Sequence, residues 1–373
     1  MTMTTTRRTL LIGATAGAMA SGTGAIGRAP SPSFRLRPWL ALASVPGASW
    51  ALFDGASVTA QAEGDARAGT PATPDTLFEA ASLSKPVLAA AVHDLVREGR
   101  IDLDEPVARH IDFTRDAATR AITPRHLLSH ASGLPNWRTD AGSDLVSRFA
   151  PGSAFRYSGE GFVLLGRLVE AVTGRTAAEV VRARVLVPAG MTRSGYGWTA
   201  ERTPAVAWAH DADGDLLPDA GPAHFEAQRA AGPRRPVETW TRSDQIAAAA
   251  ALGKPPLPIF MTPNMAAGLW TTAGDYARFL HFARAYPAMD APAVTVAGDL
   301  SWGLGWGLER SGGRRFAWHW GSNDGVANLF VLDLDRGAGL VVLTNGTGGQ
   351  RVYARAARVH FAREFDALTW LQP

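Results

Sequence analysis

The sequence predicts an α+β domain: an antiparallel sheet drawn from strands at both ends of the chain, flanked by helices, with a large helical insert between them. Three observations carry this. Near the N-terminal end, "GASWALFDG" and "SVTAQAEG" are short β-type runs joined by an Asp-Gly turn. In the last third, "SWGLGWGLE", "RRFAWHWG", "VANLFVLDLD" and "GLVVLTNG" are strand-like runs punctuated by Gly, Asn and Asp. Between these groups apolar residues recur at helical spacing. Strands at both ends with helices between point to one sheet fed by both termini.

The first element in order is the leader, "MTMTTTRRTLLIGATAGAMASGTGAIGRAPSPS", residues 1–33, which leaves 34–373 as the folded domain. A paired arginine, Arg7-Arg8, precedes an apolar run from Leu10 to Ala20 and then small residues suited to cleavage. With Thr6 before the pair and Leu10-Leu11 after it, the segment resembles a twin-arginine export signal; an ordinary secretory signal and an uncleaved anchor are the alternatives. The apolar run is too short and too rich in Gly and Ala to span a bilayer comfortably. The expectation is an exported protein, periplasmic or secreted, with no membrane span in its mature part. "GTGAIG", Gly22 to Gly27, matches a dinucleotide-binding pattern but lies in no strand–helix unit and is read as chance.

After the hairpin, "AGTPATPDT" reads as a loop and a helix runs roughly from Leu83 to Arg97, with Val87, Ala91, Leu95 and Val96 at helical spacing and Gly99 ending it. "TPRHLLSHASGLPNW" holds a short helix and a Gly-Leu-Pro turn. "YSGEGFVLLGRLVEAVTGR" is a loop leading into an amphipathic helix stopped by Gly174. "AVAWAHDADGDLLPDA" is hairpin-like, and the Ala/Pro/Arg-rich stretch from Gly221 to Pro258 has no assignable pattern. "TTAGDYARFLHFARA" is a helix with its N-cap at Thr271 or Thr272. A last helix, about Gln350 to Leu368, carries Val352, Ala356, Val359 and Ala362 on one side. The chain has no internal repeat.

Composition narrows the chemistry. With 46% hydrophobic and 19% charged residues the 373-residue chain is globular. Its net charge of +3 is matched by Arg7, Arg8 and Arg28 in the acid-free leader, and no basic stripe of the kind nucleic acids require is present. There is no cysteine, which excludes disulfides, thiolate metal sites and a cysteine nucleophile. Of the 37 Lys and Arg residues only two, Lys85 and Lys254, are lysine.

The scarcity makes Lys85 informative. On a helix, residues three apart share a face, so the Ser82 hydroxyl and the Lys85 amine can meet. A serine hydroxyl is a weak nucleophile until a base takes its proton. A lysine whose pKa is depressed by burial can be that base, whereas a guanidinium stays protonated. Pro86 is tolerated only in a first helical turn, so the helix starts near Ser82 and leaves backbone N–H groups there for an oxyanion. Serine is common, and an incidental pair on a surface helix is the bland alternative.

The longer segment "TLFEAASLSKPVLAAAVHDLVREGRIDLDEPV" resembles the nucleophile region of the serine β-lactamase and penicillin-binding protein superfamily, of the class C β-lactamase, DD-peptidase and related esterase type. "ITPRHLLSHASGLP", Ile122 to Pro135, is similar to its loop after the nucleophile helix. "FRYSGEGFVLLGRLVEAVTG" resembles its Tyr-x-Asn motif, and "WHWGSNDGVANLFVLDLDRGAGLVVLTNG" its Lys/His-x-Gly strand; "AAGLWTTAGDYARFL" is also family-like. The likeness runs in order from about Pro46 to Asn345. It implies the β-lactamase/transpeptidase-like fold, Ser82 as the acylated nucleophile, and Lys85 and Tyr157 as its proton network, Tyr157 being a base or a relay to the leaving group. It also implies that His319 orients a substrate carboxylate or tunes Tyr157, that Gly321 lets the strand approach the substrate, and that the backbone N–H groups of Ser82 and Ser322 form the oxyanion hole.

One departure matters. Gly159 stands where the second motif ends in Asn, so no side-chain amide is available to a β-lactam or peptide. This favours an esterase-like acyl hydrolase over a β-lactamase or DD-carboxypeptidase, and leaves a non-catalytic penicillin-binding or sensor module as a third reading. Glu160 is read as a loop carboxylate of open role. Trp302, Trp306, Trp318 and Trp320 cluster near the third motif and either line an apolar acyl pocket or pack the core. No GxSxG elbow is present. His126 and His130 lack the glutamate of a zinc-protease motif, and "DADGD", Asp211 to Asp215, lacks the glycine and closing acid of a calcium loop. The expectation is a serine hydrolase acting on a small ester, amide or peptide without metal or cofactor.

Overall fold

The Asp-Gly turn joins two strands as expected, β1 (Gly47–Asp54) and β2 (Ser57–Arg67), which pair antiparallel from Gly47↔Gly64 to Asp54↔Ser57. The computed structural model describes residues 35–138, 143–217, 222–235, 240, 242–253 and 263–371; the leader and "GTGAIG" lie outside them. A short helix that the sequence did not announce, α1 (Arg37–Leu42), precedes β1. Beyond β2 the chain adds β3 (Thr70–Pro71) and then β4 (Phe78–Glu79).

The last third supplies β7 (Val294–Ala297), β8 (Leu300–Trp302), β9 (Gly307–Ser311), β10 (Arg314–Asn323), β11 (Val326–Asp333) and β12 (Ala338–Thr344). These join β1–β3 in a nine-stranded sheet of order β3-β2-β1-β12-β11-β10-β9-β8-β7. Every pairing is antiparallel, and β1 meets β12 from Ala48↔Thr344 to Asp54↔Ala338. The N-terminal hairpin therefore closes onto the last strand of the chain. "SWGLGWGLE" is not one strand but two, because Gly303 N–H donates to the Trp306 carbonyl at 2.9 Å and turns the chain between β8 and β9.

β1, β11 and β12 are buried on both faces, which is why their sequences read as nearly continuous apolar runs rather than alternating ones. On one face Ala51, Phe53, Phe330, Leu332, Val341 and Leu343 join the core under the insert. On the other, Trp50, Leu52, Leu329, Val331, Leu340 and Val342 pack with Leu40, Val352, Tyr353 and Phe365. Helices thus cover both faces.

The insert holds α2 (Ser84–Arg97), α3 (Pro124–Leu128), α4 (Gly159–Thr173), α5 (Ala177–Val181) and α8 (Ala273–Ala283). The stretch without a readable pattern contains α6 (Pro222–Ala231) and α7 (Arg242–Ala251). Thr272 caps α8, its hydroxyl accepting the Asp275 N–H, and Gly174 ends α4 at φ +69°. Within the insert β5 (Gly195–Tyr196) and β6 (Leu269–Thr271) form a small sheet with β4, in the order β4-β6-β5. α2 is buried from Ser84 through His93 rather than along one stripe, so it is a central helix, not a surface one.

The single final helix splits in two: α9 (Gly349–Phe361) and α10 (Asp366–Trp370). Val352 and Ala356 are buried, but Val359 is exposed and Ala362 leaves the helix at φ +51°. The Glu309 carboxylate accepts the N–H groups of Asp366 at 3.0 Å and Ala367 at 3.1 Å, which starts α10 on a fixed point of β9. A left-handed alanine carries a Cβ penalty that glycine lacks. Ala362 is exposed, so Ala362→Gly is expected to stabilise the protein by roughly 0.5–1 kcal/mol, read as a higher urea midpoint with unchanged slope.

Candidate active site

The site is built where the strand end of β4 turns into α2. Leu83 N–H donates to the Ala80 carbonyl at 3.1 Å, closing a tight turn over Ala81–Leu83 with Ser82 inside it. Ala81 sits at φ +48°, an uncommon backbone for a residue with a Cβ, held by its surroundings. Ala80 N–H donates to the Leu269 carbonyl at 2.8 Å, and Leu269 N–H donates to the Ser84 hydroxyl at 3.0 Å. Tyr276 and Tyr196 donate to the carbonyls of Leu83 and Ser84 at 2.9 and 3.0 Å. Ser82 itself is buried with 8% of its surface open.

Lys85 is wholly buried. Its Nζ lies 2.8 Å from Ser82 Oγ and donates to the Ala266 carbonyl, also at 2.8 Å. Burial drives its pKa well below the ordinary 10.5, and among the described residues no carboxylate offsets it. Nζ donates to both oxygens, and the lowered pKa means that this amine gives up a proton more readily than an exposed lysine does. Three aromatic rings surround it: Nζ is 4.9 Å from the Tyr157 ring centre, 5.9 Å from that of Phe162 and 6.0 Å from that of Trp137.

Tyr157 comes from the loop just before α4. Its ring lies between His130, 4.3 Å away, and Trp320, 4.6 Å away. Burial raises its pKa, and proximity to Ser82 offsets this only in part. The hydroxyl faces Ser82 without a hydrogen bond of regular geometry. A phenol raised in this way is a proton donor before it is a base.

His319 on β10 is buried; Nδ1 donates to the Trp320 carbonyl at 2.6 Å, which leaves Nε2 as an acceptor with no partner. Burial first, and the Lys85 charge second, push its pKa from 6.5 to about 3, so it is neutral at working pH. His130 is pushed well below 6.5 for the same reasons, and Ser158 N–H donates to its Nδ1 at 3.1 Å. His130 Nε2, His319 Nε2 and the Tyr157 hydroxyl are therefore buried polar atoms without regular hydrogen-bond partners among the described residues, gathered around one lysine.

β10 is pressed against the nucleophile turn. A Cβ on Gly321 would lie 2.2 Å from the Ala80 carbonyl oxygen and 3.2 Å from Leu83 N. The backbone approach that Gly321 permits is thus to the turn bearing Ser82, not only to a substrate. Ser322 follows, exposed at the mouth. Asn323 donates to the buried Glu79 carboxyl, and Asn328 donates to the Glu79 carbonyl at 2.8 Å. Burial raises the Glu79 pKa, which favours the neutral acid.

Gly159 opens α4. Its N–H donates to Asn136 Oδ1 at 2.9 Å, and the space beside it is filled by Trp137. Glu160 is not a free loop carboxylate: it is buried and pairs with Arg138, Nε to Oε2 at 3.1 Å. The tryptophans divide. Trp306 and Trp318 are buried in the core, Trp302 is buried against the rings of His130 at 5.0 Å and His319 at 5.2 Å, and Trp320 is half-buried beside Tyr157. His126 Nδ1 accepts the Thr123 N–H at 3.2 Å and caps α3. Asp211 Oδ1 accepts N–H groups of Asp213 and Asp215, both at 2.9 Å, closing a turn in "DADGD". Among the described residues no cluster of three or more His, Asp or Glu side chains is placed to hold a metal.

A family model described as Beta-lactamase matches residues 39–364. The chain belongs to the β-lactamase family. This β-lactamase-family protein is 34% identical over 168 residues to esterase EstB of Burkholderia gladioli, covering 37% of this chain and 43% of that one. It is 30% identical over 208 residues to penicillin-binding protein 4 of Amycolatopsis lactamdurans, covering 51% and 55%. The chain spans about half the length of these curated relatives. A class C β-lactamase aligns with a TM-score of 0.67 at 17% identity over 91% of this chain and 94% of that one. The octameric penicillin-binding protein homologue from Pyrococcus abyssi gives 0.67 at 22%, over 88% and 77%. These likenesses establish the fold expected of the serine β-lactamase and penicillin-binding protein superfamily.

Ser82, Lys85, Tyr157, His319, Gly321, Gly159 and Trp320 lie around one site of this β-lactamase-family protein, and Ser322 follows Gly321 on β10 with its side chain exposed. Three contributors were not legible. His130 was weighed only as a zinc ligand, Glu79 sits on a two-residue strand, and Trp137 follows a turn with no periodic signal. Two outcomes check the geometry. Gly321→Ala forces a methyl into a backbone carbonyl and is expected to cost about 1–3 kcal/mol or more in urea unfolding, with loss of activity. His319 has a folded pKa of about 3, below its unfolded 6.5, so the unfolded chain binds a proton that the folded chain refuses between those values. Stability then falls as pH falls through that window, by up to about 1.4 kcal/mol per pH unit for this group. The stability gap between His319→Asn and wild type is expected to narrow from pH 6.5 to pH 4, measured by urea titration at each pH.

Proposed function

We propose that this protein is an exported serine hydrolase that cleaves esters through an acyl-enzyme on Ser82. The observation that carries the reading is Lys85: an amine buried without a counter-ion, 2.8 Å from a serine hydroxyl at the start of a helix. Ser82 Oγ attacks the ester carbonyl carbon while its proton passes to Lys85 Nζ. The N–H groups of Ser82 and Ser322 receive the negative oxygen. The C–O bond to the leaving group then breaks, and the alkoxide takes a proton from the Tyr157 hydroxyl, which recovers it from Lys85. A water repeats the attack on the acyl-enzyme and frees Ser82. Neutral His319 offers an acceptor and adds no charge beside the lysine.

Ester cleavage is favoured over β-lactam or cell-wall peptide cleavage because Gly159 brings no amide to hold an acylamido group. The likeness to an esterase and to penicillin-binding proteins is consistent with either branch. Export rests on the paired arginine and apolar run of the leader.

The test is a panel of p-nitrophenyl esters, a chromogenic cephalosporin and a D-Ala-D-Ala peptide. Ester turnover is expected, with Ser82→Ala inactive. Lys85→Met, which removes the base but matches its length, is expected to fold and to lose about 100-fold or more in kcat. Lys85→Arg buries a permanent charge and is expected to lose stability along with activity. Absence of turnover and of any covalent adduct from an acylating probe would sink the enzyme reading; a long-lived β-lactam adduct without turnover would identify a binding module instead.

A further inference from the structure

A Cβ on Gly159 would lie 2.6 Å from Cη2, 2.7 Å from Cζ2 and 2.8 Å from Cζ3 of Trp137. Carbon atoms rest at about 3.5–4.0 Å, so the ring and a side chain at 159 exclude one another. The benzo edge of the indole stands in the volume that a residue-159 side chain would take. The same ring has its centre 6.0 Å from Lys85 Nζ and is 37% exposed, so one flank faces the reacting amine and another the solvent.

The backbone on either side of Trp137 is clamped. Ser158 Oγ donates to the Pro135 carbonyl at 2.7 Å. Asn136 accepts twice from the start of α4: Gly159 N–H to its side-chain oxygen and Glu160 N–H to its carbonyl, both at 2.9 Å. Arg138 N–H donates to Glu160 Oε1 at 3.1 Å, and its guanidinium pairs with the other oxygen and donates to the Ser143 carbonyl at 3.1 Å. The buried Glu160 carboxylate sits in the first turn of α4, where the helix dipole favours it. These bonds anchor positions 135, 136 and 138 and leave the side chain of 137 to face the site.

We propose that Trp137 determines the substrate class, its indole forming the wall of an acyl pocket that accepts alkyl and aryl acyl groups and rejects an amide next to the reacting carbonyl. This rests on Ser82 being the acylated nucleophile. An acylamido group docked against the benzo edge meets carbon, so its N–H and C=O lose water without gaining a partner. An apolar acyl group gains buried contact with a rigid aromatic surface instead. Gly159 and Trp137 act as one device: the glycine makes room and the indole uses it.

The experiment compares p-nitrophenyl acetate, p-nitrophenyl butyrate and a chromogenic cephalosporin with an acylamido side chain, using the purified full chain. Trp137→Ala is expected to lose about 10-fold or more in kcat/KM on the butyrate while the acetate changes far less, since differences of a methylene or two are read by pocket contacts. Gly159→Asn is expected to depress ester turnover when Trp137 is present and to cost much less when combined with Trp137→Ala, with the double variant gaining on the cephalosporin relative to wild type. Should Trp137→Ala fail to fold, Trp137→Gln, which keeps part of the side-chain volume but replaces the aromatic surface with an amide, decides the same butyrate-to-acetate ratio. An unchanged ratio, or an equal cost of Gly159→Asn in both backgrounds, overturns the inference while leaving the hydrolase intact. A wild-type protein that cleaves no ester overturns the hydrolase reading first and this inference with it.

Discussion

The structure turns on an amine held in a dry pocket with no counter-ion. An ammonium there would be a buried unpaired charge, which costs several kcal/mol or more; a neutral amine costs far less. Burial of Lys85 therefore weakens its hold on the proton, directly beside the Ser82 hydroxyl. Nearby groups follow the same logic. Burial first, and the nearby Lys85 second, lower the pKa values of His319 and His130, and burial raises that of Tyr157. Around Ser82 the protein thus places titratable groups whose charged forms burial disfavours.

A dry pocket must be walled tightly, and the walls are backbone. α2 is central, so the insert covers it on one side and β10 closes it on the other. The close approach of Gly321 to the Ala80 carbonyl brings the strand bearing Ser322 to the turn bearing Ser82. Bonds from Asn323 and Asn328 to Glu79 hold that contact where packing alone would let it slide. Two buried tyrosines fix the carbonyls at the start of α2 from the other direction. The left-handed backbone of Ala81 is tolerated inside this set of tethers.

The site wall also shows how one missing side chain reorganises its surroundings. At Gly159 the amide expected from the motif is replaced by the edge of Trp137, and Glu160 moves from bystander to anchor of the Asn136–Arg138 segment. A polar wall becomes an apolar one without any change in Ser82, Lys85 or Tyr157. Catalytic chemistry and substrate choice are in this sense separate devices on one scaffold.

Much of this was legible in the chain. Helix starts and stops at Thr272, Gly99 and Gly174 are local: they depend on a cap or on a left-handed glycine, and neighbours in sequence decide both. So does the i, i+3 meeting of Ser82 with Lys85, and so does the hairpin at Asp54-Gly55. The scarcity of lysine made Lys85 stand out, because arginine serves nearly everywhere else that this chain carries a cation. What sequence could not decide was set by contacts across many residues. The end of α9 at Ala362 and the start of α10 depend on Glu309, far away on β9. Which tryptophans pack the core and which face the site depends on strand register and layering, since all of them look alike as letters. The occupant of the space beside Gly159 comes from a loop 22 residues earlier (159 − 137 = 22), placed by hydrogen bonds that carry no periodic signal. Local sequence determined that a lysine amine meets a serine hydroxyl; only the tertiary structure decided what stands beside them, because exclusion of volume is a property of atoms brought together from afar.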